Sequence, residues 1–467
     1  MSHARALHRF ALCLALSSGC SFTTATGFEE CKSDLDCAAS SVCSVHYCLP
    51  MWPGCQRVEG AFDAGARIAI GAVMGLTGAD GGQNDREVYR LDAMRLAISE
   101  ANKLGLAGVP YALYACNAPN TDVVPGQTSW LISNLRVPAI IVSGSDRLLA
   151  AEGEPTRLDA GTFMISPNAT TAGLIASFQE HGNVWRVAPP DTLQAQVLLG
   201  LFDGGLGPDA GVSSKIVVVA EDTAYGNGFR LALVDALASH GYTSVKQLTY
   251  TQNFPSSSAY NPQGIASALN NEVPAATILV GFPADVVQVI AAASSLPRLQ
   301  YASGHRWFFS DSAKDPSILT TATRGTLEGA HGTAPAQGKG AAYQTFTDTF
   351  SQRFGVDPNG YSFLAHSSDA MWLTLASTAW AGQSGGEITG PKMRSGIANM
   401  LGPGTSTPLL GAKWNDISLA MLHSKVINVD GSSGDLQFDL DAGAPASPYE
   451  VWAIVDGGIT TLSYVTP

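Results

Sequence analysis

Positive charge is scarce in this chain: 26 Lys and Arg stand against 39 Asp and Glu, giving a formal charge of −13. That balance argues against nucleic acid and against an anionic membrane surface as partners, because both need basic patches to neutralise phosphates. Long apolar runs are missing too. Past the N-terminus nothing approaches the roughly 18–20 apolar residues of a membrane span. There is no Gly-x-Ser-x-Gly elbow, no Gly-Lys-Ser/Thr phosphate loop and no His-Glu-x-x-His zinc helix. His366, Ser367, Ser368 and Asp369 are the cluster that invites a hydrolase reading. Adjacent side chains on one helix do not face each other, so they cannot build a triad. Asn428-Val429-Asp430-Gly431 and Asp439-Leu440-Asp441-Ala442-Gly443 fit no twelve-residue calcium loop and read as β-turns. The sequence therefore calls for no catalytic residue, metal or cofactor.

What is present is a globular composition, 45% hydrophobic and 14% charged. At 467 residues the chain exceeds one ordinary core, and two lobes are expected. The N-terminus reads as an export signal: Arg5 and Arg9 precede the apolar stretch Phe10–Leu16, followed by the small residues of Leu16-Ser17-Ser18-Gly19-Cys20. This resembles the lipobox of bacterial lipoproteins, with Ser17 where that motif prefers leucine. The resemblance implies a signal peptide over 1–19, lipidation of Cys20, and a periplasmic or surface location with membrane contact only through the lipid. A plain secretory signal cut near the same place is the alternative.

Cysteine usage agrees with export. Without Cys13 and Cys20 six remain: Cys31, Cys37, Cys43, Cys48, Cys55 and Cys116. An even set in an exported chain implies disulfides. Five crowd into Cys31–Cys55 among small and polar residues, which suggests a stapled linker or stalk over 20–65. The odd number there makes Cys116 the sixth partner, with connectivity open. Zinc is the competing reading, and the spacings lack the paired Cys-x₂-Cys knuckles of structural zinc sites.

From Arg67 onward, continuous apolar strands alternate with helices. Strands are expected at Arg67–Met74, Pro110–Ala115, Pro138–Ser143, Thr162–Ser166, Val184–Val187, Lys215–Ala220, Ser244–Tyr250, Ala276–Gly281 and Arg306–Ser310. Helices are expected at Arg86–Leu104, Thr128–Leu135, Gly340–Phe354 and Phe363–Ala381. The pattern predicts an α/β fold with parallel sheets covered on both faces. The strands are too many for one sheet, so two doubly wound lobes follow; the hinge between them is implied by the resemblance given below. Lobe I would comprise 66–187 plus 330–445, and lobe II 188–329 plus 446–467, with β-rich structure near Gly434–Asp439 and Tyr449–Val455.

Two strand ends carry the functional signal. Strand Thr162–Ile165 runs into Ser166-Pro167-Asn168-Ala169-Thr170-Thr171 and then a helical stretch, which Thr170 or Thr171 can cap. Glu221-Asp222-Thr223-Ala224-Tyr225-Gly226-Asn227-Gly228 repeats that geometry after strand Lys215–Ala220. Hydroxyls and free amide N–H groups at a helix start suit a carboxylate.

Five landmarks in order resemble the type I periplasmic solute-binding proteins, the branch containing leucine/isoleucine/valine-binding proteins. They are Gly71-Ala72-Val73-Met74-Gly75, the helix Ala93–Asn102, Ile165-Ser166-Pro167-Asn168-Ala169-Thr170, Ala224-Tyr225-Gly226-Asn227-Gly228, and Asp369-Ala370 with Ser368 in place of a family tyrosine. The resemblance runs from about Ala66 to the C-terminus. It implies two lobes joined by three strands and closing over a small molecule, an amino acid or related carboxylate. The usual partners would be the membrane subunits of an ABC transporter. Carried onto this chain, the carboxylate site falls on Thr170 and the backbone of Asn168, with Ser145 as a second hydroxyl. Tyr225 lines the cleft, Phe282 supplies an aromatic ring, and Asp311 takes the acidic position that receives a ligand ammonium. Asp80 departs from the family's aromatic near this place and favours a polar or cationic ligand over an aliphatic one. The alternative is a ligand-sensing or structural surface-interaction lipoprotein with no transporter; its structural form predicts a cleft filled by side chains.

Overall fold

The computed structural model of the chain describes residues 29–63, 67–78, 81–104, 109–174, 183–202, 215–252, 257–383, 385, 387–445 and 447–466. The proposed signal, Cys20 and Asp80 lie outside them, as does most of the helix expected after Thr171, whose first described helical residue is Leu174.

After a single 3₁₀ turn at Asp34–Asp36, the first described strands are a hairpin of β1 (Ser41–Ser44) and β2 (Tyr47–Pro50), followed by β3 (Cys55–Gly60). Disulfides join Cys31 to Cys43, Cys37 to Cys48 and Cys55 to Cys116. The expected stalk is, over its described part, a knot docked on the first sheet. Its hub is Asp34, fully buried, which accepts hydrogen bonds from the Tyr114 hydroxyl, the Arg67 guanidinium and the Cys43 amide.

The body begins with β4 (Ile68–Met74), α1 (Asp85–Leu104), β5 (Tyr111–Asn117), α2 (Val124–Leu135), β6 (Ala139–Val142), α3 (Ser145–Glu152), α4 (Pro155–Ala160), β7 (Phe163–Ser166) and β8 (Val184–Arg186). These strands form a six-stranded sheet in the order β3-β5-β4-β6-β7-β8, parallel except for β3, which runs antiparallel to β5 with Cys55 opposite Cys116. The second sheet follows α5 (Asp191–Gly200). It contains β9 (Ile216–Glu221), β10 (Val245–Tyr250), β11 (Ala276–Val280), β12 (Arg306–Phe309) and β13 (His331–Pro335). Helices α6 (Ala224–Ser239), α7 (Pro262–Glu272) and α8 (Pro283–Ala293) connect its early strands. After β13 come α9 (Ala341–Phe354), α10 (Leu364–Gly382), α11 (Gly390–Asn399) and α12 (Trp414–Leu422), which return to the first lobe. Short strands β14 (Thr407–Pro408), β15 (Val429–Gly431), β16 (Gly434–Asp435), β17 (Phe438–Asp439) and β18 (Ala444–Pro445) build two small ladders. The hairpin β19 (Tyr449–Val455) and β20 (Gly458–Val465) completes the second sheet, in the order β10-β9-β11-β12-β13-β19-β20. Both sheets are therefore mixed: β3 runs antiparallel at one edge of the first parallel array, and the β19–β20 hairpin lies antiparallel along β13 at one edge of the second.

Why the strands read as unbroken apolar runs is visible in their sidedness. In β9, Val217 and Val219 pack toward α7 and α8, while Ile216, Val218 and Ala220 pack toward α5 and α6. In β6, Ala139 and Ile141 join the core with α1 and α10, and Ile140 and Val142 the core with α2 and α3. Period-two alternation with both faces covered leaves no polar side. Helix starts are marked by local chemistry: Thr223 Oγ1 accepts the Gly226 N–H at 3.0 Å, and Asn261 Oδ1 accepts the Gly264 N–H at 2.9 Å with Pro262 opening α7. The chain passes between the lobes three times, after β8, after β13 and before β19. Near the last crossing a buried ion pair joins Lys314 to Glu450.

Candidate functional site

The carboxyl ends of β4, β6 and β7 in one lobe face the first turns of α6 and α8 in the other across a cavity of about 960 Å³. Ligands of open α/β sheets bind outside the carboxyl ends of the strands. The centre of the first wall is the start of α3. Gly144 precedes it with φ +89°, a left-handed conformation that glycine tolerates. The first intrahelical bond there is Leu148 N–H to Gly144 O at 3.0 Å, and the amides of Ser145, Asp146 and Arg147 have no hydrogen-bond acceptor among the described residues. All three residues line the cavity, so the positive end of the helix opens onto it.

The neighbouring loop fixes which atoms face outward. Asn168 Oδ1 accepts the Gly144 N–H at 2.9 Å and the Ser143 hydroxyl at 3.2 Å. Its Nδ2 donor is thereby left toward the cavity that Asn168 lines. Ser145 Oγ accepts the amides of Thr170 and Thr171 at 3.2 and 3.3 Å, which leaves its O–H to donate. Of the residues that the resemblance assigns to a carboxylate, Ser145 and Asn168 line the cavity and Thr170 does not. Thr170 is 0% exposed and outside the cavity wall, with its carbonyl accepting from Asp191 N at 2.9 Å and from Arg186 Nη1 at 3.2 Å. The Asn168 backbone N–H reaches Ser166 Oγ at 3.4 Å, so its side chain and not its amide faces the cavity. Thr170 positions Ser145, and Ser145 meets the space.

Tyr225, Phe282 and Asp311 all reach the opposite wall. The Tyr225 hydroxyl donates to Asp311 Oδ1 at 2.8 Å and lies 3.1 Å from Ser312 Oγ. Its ring centre is 5.8 Å from that of Phe282. Burial pushes the Asp311 carboxyl above its ordinary range, and the Tyr225 hydroxyl opposes that by hydrogen bonding to the ionised form.

Sequence reasoning missed the cations. Arg86, Arg90 and Arg147 line the same cavity. Arg86 and Arg90 are four apart at the start of α1, a spacing that puts them on one helix face and was legible in Asp85-Arg86-Glu87-Val88-Tyr89-Arg90. Arg90 pairs with Glu87 and donates to Ser362 O at 3.3 and 3.2 Å through Nε and Nη2. Burial alone would raise Glu87, but the guanidinium groups of Arg90 and Arg147 outweigh it and hold the carboxyl below its ordinary range. Arg147 Nε donates to Ala118 O at 2.9 Å while its guanidinium lies over Gly75, where a Cβ would stand 2.2 Å from Nη2. The lobes also touch directly. Arg86 Nη1 donates to Ser312 O at 2.8 Å and its guanidinium carbon sits 5.0 Å from the Phe282 ring centre; Asp146 Oδ1 accepts the Ala224 N–H at 2.6 Å.

Residues 89–457 match the model of the family described as "Receptor family ligand binding region". The chain belongs to that family. Among solved structures it is similar to the leucine-binding protein LivK of Thermotoga maritima, at 16% identity and a TM-score of 0.67, covering 86% of this chain and 99% of that one. It is also similar to the branched-chain amino acid transporter substrate-binding protein LivJ of Streptococcus pneumoniae in complex with isoleucine (15% identity, TM-score 0.65, 86% and 100% covered). A third is an ABC transporter solute-binding protein of Rhodopseudomonas palustris in complex with 3,4-dihydroxybenzoic acid (15%, 0.64, 86% and 97%). These likenesses give the fold, that of type I periplasmic binding proteins. No curated protein matches the chain.

In this receptor-type ligand binding region the other motif residues are structural. Asp369 is buried and accepts the Ser432 and Ser433 amides at 2.8 and 2.6 Å, stapling α10 to the β15–β16 turn away from the cavity; burial raises its pKa to about 6. His366 is fully buried on α10, against Phe363 and near Arg90. The sulfurs of Cys31, Cys37 and Cys48 lie close together, and each is taken by a disulfide. No described helix is long and apolar enough to cross a membrane.

Proposed function

We propose that the chain is an extracytoplasmic, lipid-anchored solute-binding protein that captures an amino acid or related small carboxylate between its two lobes. The observation that carries this is the first turn of α3: unsatisfied amides, the Ser145 hydroxyl and Asn168 Nδ2 converge on one side of a 960 Å³ cavity. Neutral donors preset by a helix start suit a desolvated carboxylate. Tyr225, Phe282 and Asp311 across the cavity offer a ring face and an acceptor for the rest of the solute. A purely structural lipoprotein on this fold would fill that space with side chains, and the open cavity favours capture.

Capture asks for no chemistry; closure excludes water and strengthens the polar contacts. Delivery to ABC transporter membrane subunits is the role that the related solute-binding proteins suggest for it. Thermal-shift screening of the purified chain against amino acids and small monocarboxylates and dicarboxylates tests the reading. A ligand at about 100 times its Kd adds ~2.7 kcal/mol to stability and raises the melting temperature. No shift with any of these compounds rejects it.

A further inference from the structure

The charges around the cavity are not equally settled. The acids have duties within the protein: Glu87 pairs with Arg90, Asp85 accepts from Gln83, Asp146 from Ala224, Asp222 from Asn227, Asp311 from Tyr225 and Asp315 from Ser317, while Asp285 stands in the first turn of α8. Several of them sit at helix starts, where the macrodipole favours negative charge. Arg86 and Arg147, by contrast, donate to neutral carbonyls, Ser312 O and Ala118 O, and share the field of Glu87, which is already paired with Arg90. Arg86 is 8% exposed, and Arg147 is half-buried. Neither forms an ion pair among the described residues, and Arg86 Nε is buried without a hydrogen-bond acceptor. A buried guanidinium held only by a carbonyl and an aromatic face is costly unless an anion completes it. Gly75 is the clearance that lets Arg147 lie flat against the cavity wall.

We infer that the solute is a small dicarboxylic acid, such as an acidic amino acid or a simple diacid. One carboxylate lies on the first turn of α3 with Arg147, and the second on Arg86 against Phe282. This rests on the solute-capture reading and narrows its ligand class. Because Arg86 already reaches Ser312 O on the other lobe, an acid group bound there joins the contacts that hold the lobes together.

The test is isothermal calorimetry on the purified full chain, with glutamate, aspartate, glutarate and succinate each compared with its monoamide. At least one diacid should bind about tenfold or more tightly than its amide, the scale of one charge-assisted hydrogen-bonded pair. Arg86→Gln should bring that ratio to near one, and Arg86→Lys should retain most of it. An Arg86→Gln variant that weakens acid and amide equally would reduce Arg86 to a strut between lobes and overturn the inference. Monoacids or amides binding as well as the diacids overturn it too, while leaving solute capture standing. A panel in which nothing binds overturns it as well, and the wider thermal-shift screen then decides whether solute capture stands.

Discussion

Replacing His366 with phenylalanine separates the cost of a buried imidazole from every other titration in the protein. Burial pulls the His366 pKa down from 6.5 to about 3, with Arg90 adding to the effect, and neither ring nitrogen has a hydrogen-bond partner among the described residues. The folded state therefore keeps the ring neutral where the unfolded chain protonates it. A base with a depressed folded pKa contributes stability that is present above the unfolded value and lost as pH falls through the window from 6.5 to about 3. At about pH 5 the loss is ~1.5 pH units at 1.36 kcal/mol each, or about 2 kcal/mol. Asp369 acts in the opposite sense. Its folded pKa, raised to about 6, makes its contribution grow as pH falls toward its unfolded value. That term is common to both proteins and cancels in the difference. Guanidinium unfolding followed by tryptophan fluorescence, at about pH 7.5 and about pH 5, gives the comparison. The variant should gain about 2 kcal/mol on the parent between the two conditions. Parallel losses in the two proteins would show that His366 protonates inside the fold and refute the argument.

Cys55→Ala with Cys116→Ala opens a loop of sequence separation 61, for which chain entropy gives a loss of about 4 kcal/mol; a loss below about 1 kcal/mol in denaturant titration would mean that β3 holds its place without the crosslink. Gly75→Ala puts a methyl 2.2 Å from Arg147 Nη2. The movable guanidinium should yield before the backbone does, so acid affinity should fall about tenfold with melting temperature unchanged, as calorimetry and thermal melts would show. A matched loss of affinity and stability would place the strain in the fold.

The strand series was legible because both faces of each sheet are covered, so nearly every core strand announced itself as an apolar run. Edge strands announced less. β3, with Gln56, Arg57 and Glu59, reads as linker, and its pairing with β5 depends on the Cys55–Cys116 bond and on a partner about sixty residues away. Helix α3 was missed because it is short and opens on Ser-Asp-Arg, residues equally at home in a loop. At the site, Ser145, Asn168, Tyr225, Phe282 and Asp311 were traceable from motif order, and the structure brings all five to one cavity. Thr170 was not separable from Ser145 by sequence, since one hydrogen bond decides which of them faces the space. The arginines escaped because a family motif points to shared positions, whereas Arg86 and Arg147 gain their meaning from lining the cavity without an ion pair of their own among the described residues, a property of three dimensions.

Among the described residues, the knot built around Asp34 is fastened to the first lobe. Its covalent tie enters β5, Trp52 rests on Gly126 of α2, and Arg67 and Tyr114 grip it from the same side. Anything that holds the chain ahead of Glu29 therefore grasps the first sheet as a handle, and no load crosses the connections between sheets. The second sheet takes no part in that mooring, and meets it only through the first.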